Sequence, residues 1–234
     1  KRQGSIMGKN DNGNNGRTEL VFVVDRSGSM GGLESDTIGG FNSMLSKQRT
    51  IAGECRVTTL LFDHRIETLH DHLDIREVND LTSRDYWVRG STALLDAIGL
   101  AIDRMIVTQR HTAAAYRAQH VLFVIITDGY ENASRRYSLH QIKQMITYER
   151  ERYHWEFVFL GANIDAEQTA GDFGISPRCA TDFHADGQGI KASFEAVACA
   201  ATAVRGGADL DDLSAPDFLG GVRDDYRSRR RMKR

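Results

Sequence analysis

Short, unbroken apolar runs alternate along this chain with longer stretches in which apolar residues recur every three or four positions. Val21-Phe22-Val23-Val24, Val121 to Ile126 and Phe157 to Leu160 show no alternation, as expected of strands covered on both faces in a parallel sheet. They predict strands over about residues 19–25, 120–127 and 156–160. Residues 56–62 and 65–71 read as two further strands joined at Asp63-His64, a hairpin that sets one antiparallel strand at a sheet edge. A short last strand is expected over 179–184. Helical spacing is clearest after Thr92, where Leu94, Leu95, Ile98, Ile102, Met105 and Ile106 share a stripe. Leu33, Ile38, Phe41 and Leu45 give an earlier helix ending near Arg49, with Gly39-Gly40 inside it as a place for close packing against the sheet. Ser138 and Gln141 form a capping-box pattern before Ile142, Met145 and Ile146. Asp165 caps a short helix, and Ile190, Phe194, Val197, Ala201 and Val204 mark a long one that ends at Gly206-Gly207.

The resulting series is β, α, β, β, α, β, α, β, α, β, α. It predicts an α/β fold, a doubly wound and mostly parallel sheet with one antiparallel edge strand and helices on both faces. Residues 8–17 lack anything to bury, and 1–17 read as a flexible lead-in, with Lys1 to Ile6 preceding Met7 as an expression remnant would. One domain spans 18–206, and 207–234 forms an exposed C-terminal extension with a basic tail.

The polar residues that end the first strand bring in chemistry. Asp25, Ser27 and Ser29 are spaced by two, which places three oxygens on one side of an extended loop. Ligands of open α/β sheets bind beyond the carboxyl ends of the strands, where these residues fall. One carboxylate and two hydroxyls are hard donors, suited to Mg²⁺ or Mn²⁺ rather than zinc or copper.

Asp25-Arg26-Ser27-Gly28-Ser29 resembles the metal-ion-dependent adhesion site of von Willebrand factor A domains. Two further pieces of that pattern follow in order: Thr92 in Gly90-Ser91-Thr92 before a helix, and Asp128 at the end of a later apolar strand. The resemblance covers about residues 18–206. It implies that Ser27 and Ser29 coordinate the ion directly, that Thr92 and Asp128 do so directly or through water, and that Asp25 anchors the first loop. The cofactor it implies is Mg²⁺, with Mn²⁺ or Ca²⁺ as substitutes, and the partner a protein that presents Asp or Glu to the ion. Short, leaderless, intracellular bacterial members of the family are the nearest in style, assembly or regulatory factors that work beside an ATPase.

Thr92 also suits a helix N-cap. Tyr86 and Trp87, in the connector before Thr92, and Tyr130 and Glu131, just after Asp128, are candidate partner contacts. His70 and His72 would share one face of the edge strand, exposed and discouraging further strand pairing.

Composition adds an ordinary globular background, 41% hydrophobic and 26% charged over 234 residues. No apolar run is long enough to span a bilayer and no leader opens the chain. Three scattered cysteines, Cys55, Cys179 and Cys199, match no metal spacing and read as core residues of a protein in a reducing cytoplasm. The net charge of −2 hides a tail, residues 227–234, that carries six positive charges. A solvated terminus drawn toward Asp209, Asp211, Asp212, Asp217, Asp224 and Asp225 is the favoured reading, and a nucleic-acid adaptor the lesser one, since no base-reading module is present.

An enzyme is the rival class. Phosphoryl-transfer enzymes that place an Asp and Mg²⁺ at a strand end use a second acid two residues on, where this chain has Ser27. No phosphate-cradling glycine loop is found, and none of the eight histidines falls at a predicted carboxyl strand end to activate a serine. The sequence therefore points to binding rather than catalysis.

Overall fold

The computed structural model describes residues 16–214 and 216–232. The expected lead-in, apart from residues 16 and 17, lies outside the described residues, as do Lys233 and Arg234 of the basic tail.

Six strands form one sheet in the order β3-β2-β1-β4-β5-β6. They are β1 (Thr18–Asp25), β2 (Cys55–Phe62), β3 (Ile66–Asp74), β4 (His120–Asp128), β5 (Glu156–Ala162) and β6 (Ala180–Asp182). Only β3 runs antiparallel, and it occupies the edge predicted from the hairpin. Every residue of β1 is buried, because β2 and β4 flank it on both sides in parallel register, with Val21 opposite Thr58 and Phe123. An unalternating apolar run is what such a position demands.

The helices are α1 (Glu34–Arg49), α2 (Leu94–His111), α3 (Leu139–Tyr153), α4 (Ala166–Asp172), α5 (Gly187–Arg205) and α6 (Gly220–Met232). On one face α1 and α5 pack together over β1. The Phe41 ring meets Phe22 edge-on at 5.2 Å and Phe194 at 6.3 Å. α2 and α3 pack together on the other face. Of the glycine pair in α1, Gly40 serves helix packing rather than the sheet contact expected, since a Cβ there would lie 2.4 Å from Phe194 Cδ2 of α5, while Gly39 faces open space.

Three expectations are corrected. His70 is buried at 7% exposure, not displayed, because register shifts on either side of Thr59 turn its ring inward to a hydrogen bond with Thr59 Oγ1 at 3.0 Å. His72 takes a positive φ of 54° at the same irregularity and meets Glu19 Oε1 at 2.7 Å. Cys55 and Cys179 are core residues, but Cys199 is exposed on α5.

The C-terminal extension is not simply exposed either. Leu219 and Val222 are buried and seat α6 beside α5 and β6. Arg223 pairs with Asp217 at 2.8 Å, and Arg229 pairs with Asp186 and Asp225. The tail's attraction to the acidic cluster is thus realised in part by helix formation. Among the described residues, no helix is long and apolar enough to cross a membrane.

What positions the site is the order of the strands. From β1 the chain goes to β2 on one side and later returns to β4 on the other. The carboxyl ends of β1 and β4 therefore flank the crevice at which winding reverses.

Candidate metal centre

Asp25 ends β1 and is fully buried. Its Oδ1 accepts from the Ser27 amide at 2.6 Å, and its Oδ2 accepts from Thr127 Oγ1 at 2.7 Å and from the Asp128 amide at 3.4 Å. Burial pushes the Asp25 carboxyl above its ordinary pKa, and the hydrogen bonds from Thr127 and Ser27 oppose that push. Asp25 thus ties the first loop to the end of β4.

The hydroxyls converge. Ser27 Oγ lies 3.0 Å from Ser29 Oγ and 3.0 Å from Thr92 Oγ1. Neighbouring oxygens of an octahedral Mg²⁺ shell, each about 2.1 Å from the ion, are about 3 Å apart. The spacing of these donors therefore fits adjacent positions of such a shell. Asp128 ends β4 beside them, its carboxyl also pushed up by burial and opposed by a hydrogen bond from the Asn163 amide. Among the described residues, no group of three or more His, Cys, Asp or Glu side chains could hold a metal. The candidate set at the ends of β1 and β4 is hydroxyl-rich and chemically hard throughout.

Thr92 is not an N-cap. α2 begins at Leu94, and the Leu95 amide donates instead to Glu131 Oε2 at 2.9 Å, which leaves the Thr92 hydroxyl for Ser27. Asn132 clamps Thr92 from both sides, its Oδ1 accepting from the Thr92 amide at 2.9 Å and its own amide donating to Thr92 O at 3.0 Å. Asp96 in turn accepts the amides of Arg135, Arg136 and Tyr137 at 2.8–2.9 Å. The loop after β4 therefore sets Thr92 and Asp128 relative to one another.

Of the four candidate partner contacts, the structure displays two. Trp87 is 41% and Tyr130 62% exposed. Tyr86 is 1% exposed, with its hydroxyl donating to Asp25 O at 2.5 Å, so it positions the first loop and meets no partner. Glu131 spends both oxygens on Leu95, Ala133 and Ser134, a structural use the sequence did not suggest.

Beside the hydroxyls lies a charged cluster. Arg26, fully buried, donates to Asp63 Oδ2 at 3.3 Å and to Glu67 at 2.6 Å. Burial opposes ionisation of Asp63, but the Arg89 hydrogen bond, the Arg65 amide and the charges of Arg89 and Arg26 outweigh it and hold its carboxyl below the usual range. His64, two residues after β2, lies 3.0 Å from Asp63 and packs so close to Gly90 that a Cβ there would lie 2.2 Å from its Nδ1. One histidine therefore does sit at a carboxyl strand end, contrary to the sequence expectation.

No family model matches this chain, nor does any curated protein sequence. Solved structures do match. The von Willebrand factor domain of the type V pilus tip protein Mfa5 from Porphyromonas gingivalis superposes with a TM-score of 0.55 at 13% identity, over 80% of this chain and 95% of that one. Proximal thread matrix protein 1 from the mussel byssus, in a structure with a zinc-occupied MIDAS motif, gives 0.53 at 13% identity over 80% of this chain. The D319A mutant of the PilB minor pilin from Streptococcus sanguinis gives 0.50 at 13% over 92%. The chain has the von Willebrand factor A fold. It spans about half of the mussel protein, 46%, and 66% of the pilin.

Within this von Willebrand A fold, the sequence reading missed Thr127, Asn163 and Arg26. Asn163 carried a signal, since it directly follows β5, one residue beyond Ala162, the partner of Asp128 in the sheet. It takes a positive φ of 54°, a conformation that Asn tolerates better than most residues. Arg26 carried none, because an arginine inside a loop motif reads as exposed until its partners Asp63 and Glu67 are brought in from β2 and β3.

Proposed function

We propose that this chain is a divalent-cation-dependent protein-interaction module, in which the centre at Ser27, Ser29, Thr92, Asp25 and Asp128 captures a carboxylate of a partner protein. The reading rests on one observation above all, the Ser27 hydroxyl 3.0 Å from both the Ser29 and the Thr92 hydroxyls, with two buried carboxylates beside them at the switch point. Mg²⁺ suits this set best, with Mn²⁺ or Ca²⁺ able to stand in. When bound, the ion supplies an electrophilic coordination position for an incoming carboxylate oxygen.

The chain's own residues create the preference for an anion. Ser27, Ser29 and Thr92 are neutral donors and leave the positive charge of the site largely uncompensated. Asp25 has both oxygens committed to Ser27, Thr127 and Asp128, and Asn163 restrains one oxygen of Asp128. An acidic side chain from a partner would supply the missing negative charge. Trp87 and Tyr130 offer it exposed aromatic surface.

Binding is favoured over catalysis because the place of a second acid is held by Ser27. Among the described residues, no histidine hydrogen-bonds to Ser27, Ser29 or Thr92 to activate a nucleophile. The test is calorimetry with a glutamate-bearing peptide in Mg²⁺ and again in EDTA. Binding is expected in Mg²⁺ and absent in EDTA, and equal binding in both would overturn the reading.

A further inference from the structure

Arg89 is held from three sides and left open on the fourth. Its amide donates to Arg26 O at 2.9 Å while Gly90 O accepts from Gly28 at 3.1 Å, which pairs residues 89–90 with the loop that carries Ser27 and Ser29. Its Nε donates to the fully buried Asp63 at 2.7 Å, and its guanidinium carbon lies 5.5 Å from the centre of the Trp87 ring. Arg26 lies 5.1 Å from the same ring, and its Nη1 has no hydrogen-bond partner. The side chain of Arg89 stays 35% exposed, and among the described residues its two terminal nitrogens donate no hydrogen bond.

This is an oriented fork with its face on an aromatic ring, its inner edge on a buried carboxylate and its outer edge free. A guanidinium so held loses little entropy when it takes a carboxylate. Paired loop segments run about 5 Å apart, so residues 89–90 lie beside the loop that carries the hydroxyl donors, and the fork, turned onto Asp63 after β2, stands on the β2 side of the crevice. Arg26 is met by Asp63 and Glu67 while Arg89 has only its share of Asp63, so the outer edge of the Arg89 guanidinium is the part of the cluster that no acid among the described residues faces.

We propose that Arg89 is a second anchor for the partner, which presents two acidic side chains close together: one for the metal centre, the other for the Arg89 fork. The partner segment is of the Glu-x-Glu kind, since residues two apart on an extended chain share a face about 7 Å apart. The inference rests on the metal-dependent reading above and adds to it the selection of paired over single acids.

The experiment compares peptides of equal length that carry Glu-x-Glu or Glu-x-Gln, titrated into the chain in Mg²⁺ and followed by tryptophan fluorescence. Trp87 is the exposed one of the two tryptophans and lies under the fork. The pair is expected to bind about tenfold more tightly, as a charge-assisted contact at a partly exposed site allows. Arg89→Lys, which keeps the charge on Asp63 but loses the fork, should lose most of that advantage while binding Glu-x-Gln as before. Equal affinity of the two peptides for the unaltered chain overturns the proposal, as does an undiminished pair advantage in Arg89→Lys. Glu-x-Gln binding that persists in EDTA would instead overturn the metal-dependent reading.

Discussion

The amide of Asn163, one strand over from the metal centre, donates to Oδ1 of Asp128 and so restrains the one carboxylate that is free to move toward the hydroxyl trio. Asn163 adopts φ 54°, so Asn163→Gly removes the amide while sparing the backbone. That variant should bind Mg²⁺ a few-fold more tightly, because Asp128 can then coordinate directly, and should bind an acidic peptide more weakly for the same reason. Calorimetry of both ligands checks the opposed signs.

Tyr86→Phe removes the hydroxyl that reaches Asp25 O and leaves a buried carbonyl without that donor. A loss of about 1–2 kcal/mol in stability is expected, as for other unsatisfied buried groups. Denaturant unfolding measures it, and peptide contact by Tyr86 is not expected at any concentration.

Gly40→Ala tests the packing of α1 on α5. The added methyl would meet the Phe194 ring at 2.4 Å, and overpacking of this kind costs about 1–3 kcal/mol. Mg²⁺ affinity should be unchanged, since the contact lies away from the crevice, so unfolding and metal titration together separate the two effects.

These variants mark where sequence reading reached and where it stopped. The unalternating run of β1, the hairpin into β3, the capping box at Ser138 and the Asp165 cap were legible because each is a local pattern, and each is present. The place of Gly40 was not, since the residue it accommodates lies more than 150 positions on and the pattern records only a weak helix. At the site, Asp25, Ser27, Ser29, Thr92 and Asp128 could be picked out in order, but the roles of their neighbours could not. Tyr86 and Glu131 look like surface residues in one dimension, and become supports only when the loops close on Asp25 O and on the first turn of α2. The extension after 206 carried a charge pattern and few apolar residues, so docking of α6 through Leu219 and Val222 had little to announce it.

Glu156, at the start of β5, makes a pH dependence. Burial, then the charges of Asp209 and Asp211, raise its carboxyl from 4.5 to about 7. The folded chain therefore holds a proton that the unfolded chain releases between those values, and stability must fall as pH rises through that window. After solvent screening the effect is about 1–2 kcal/mol. Thermal melts of the intact chain should show a decline from pH 5 to 7.5, and Glu156→Gln should flatten it.

The central claim, that the hydroxyl trio and its flanking carboxylates hold a divalent cation, is met most directly by calorimetric titration of Mg²⁺ and Mn²⁺ into the intact chain beside Ser27→Ala/Thr92→Val, a pair of near-isosteric changes that removes two hydroxyls. One binding site in the intact chain that is lost in the variant is the predicted result. No binding in the intact chain, or the same binding in both, would contradict it.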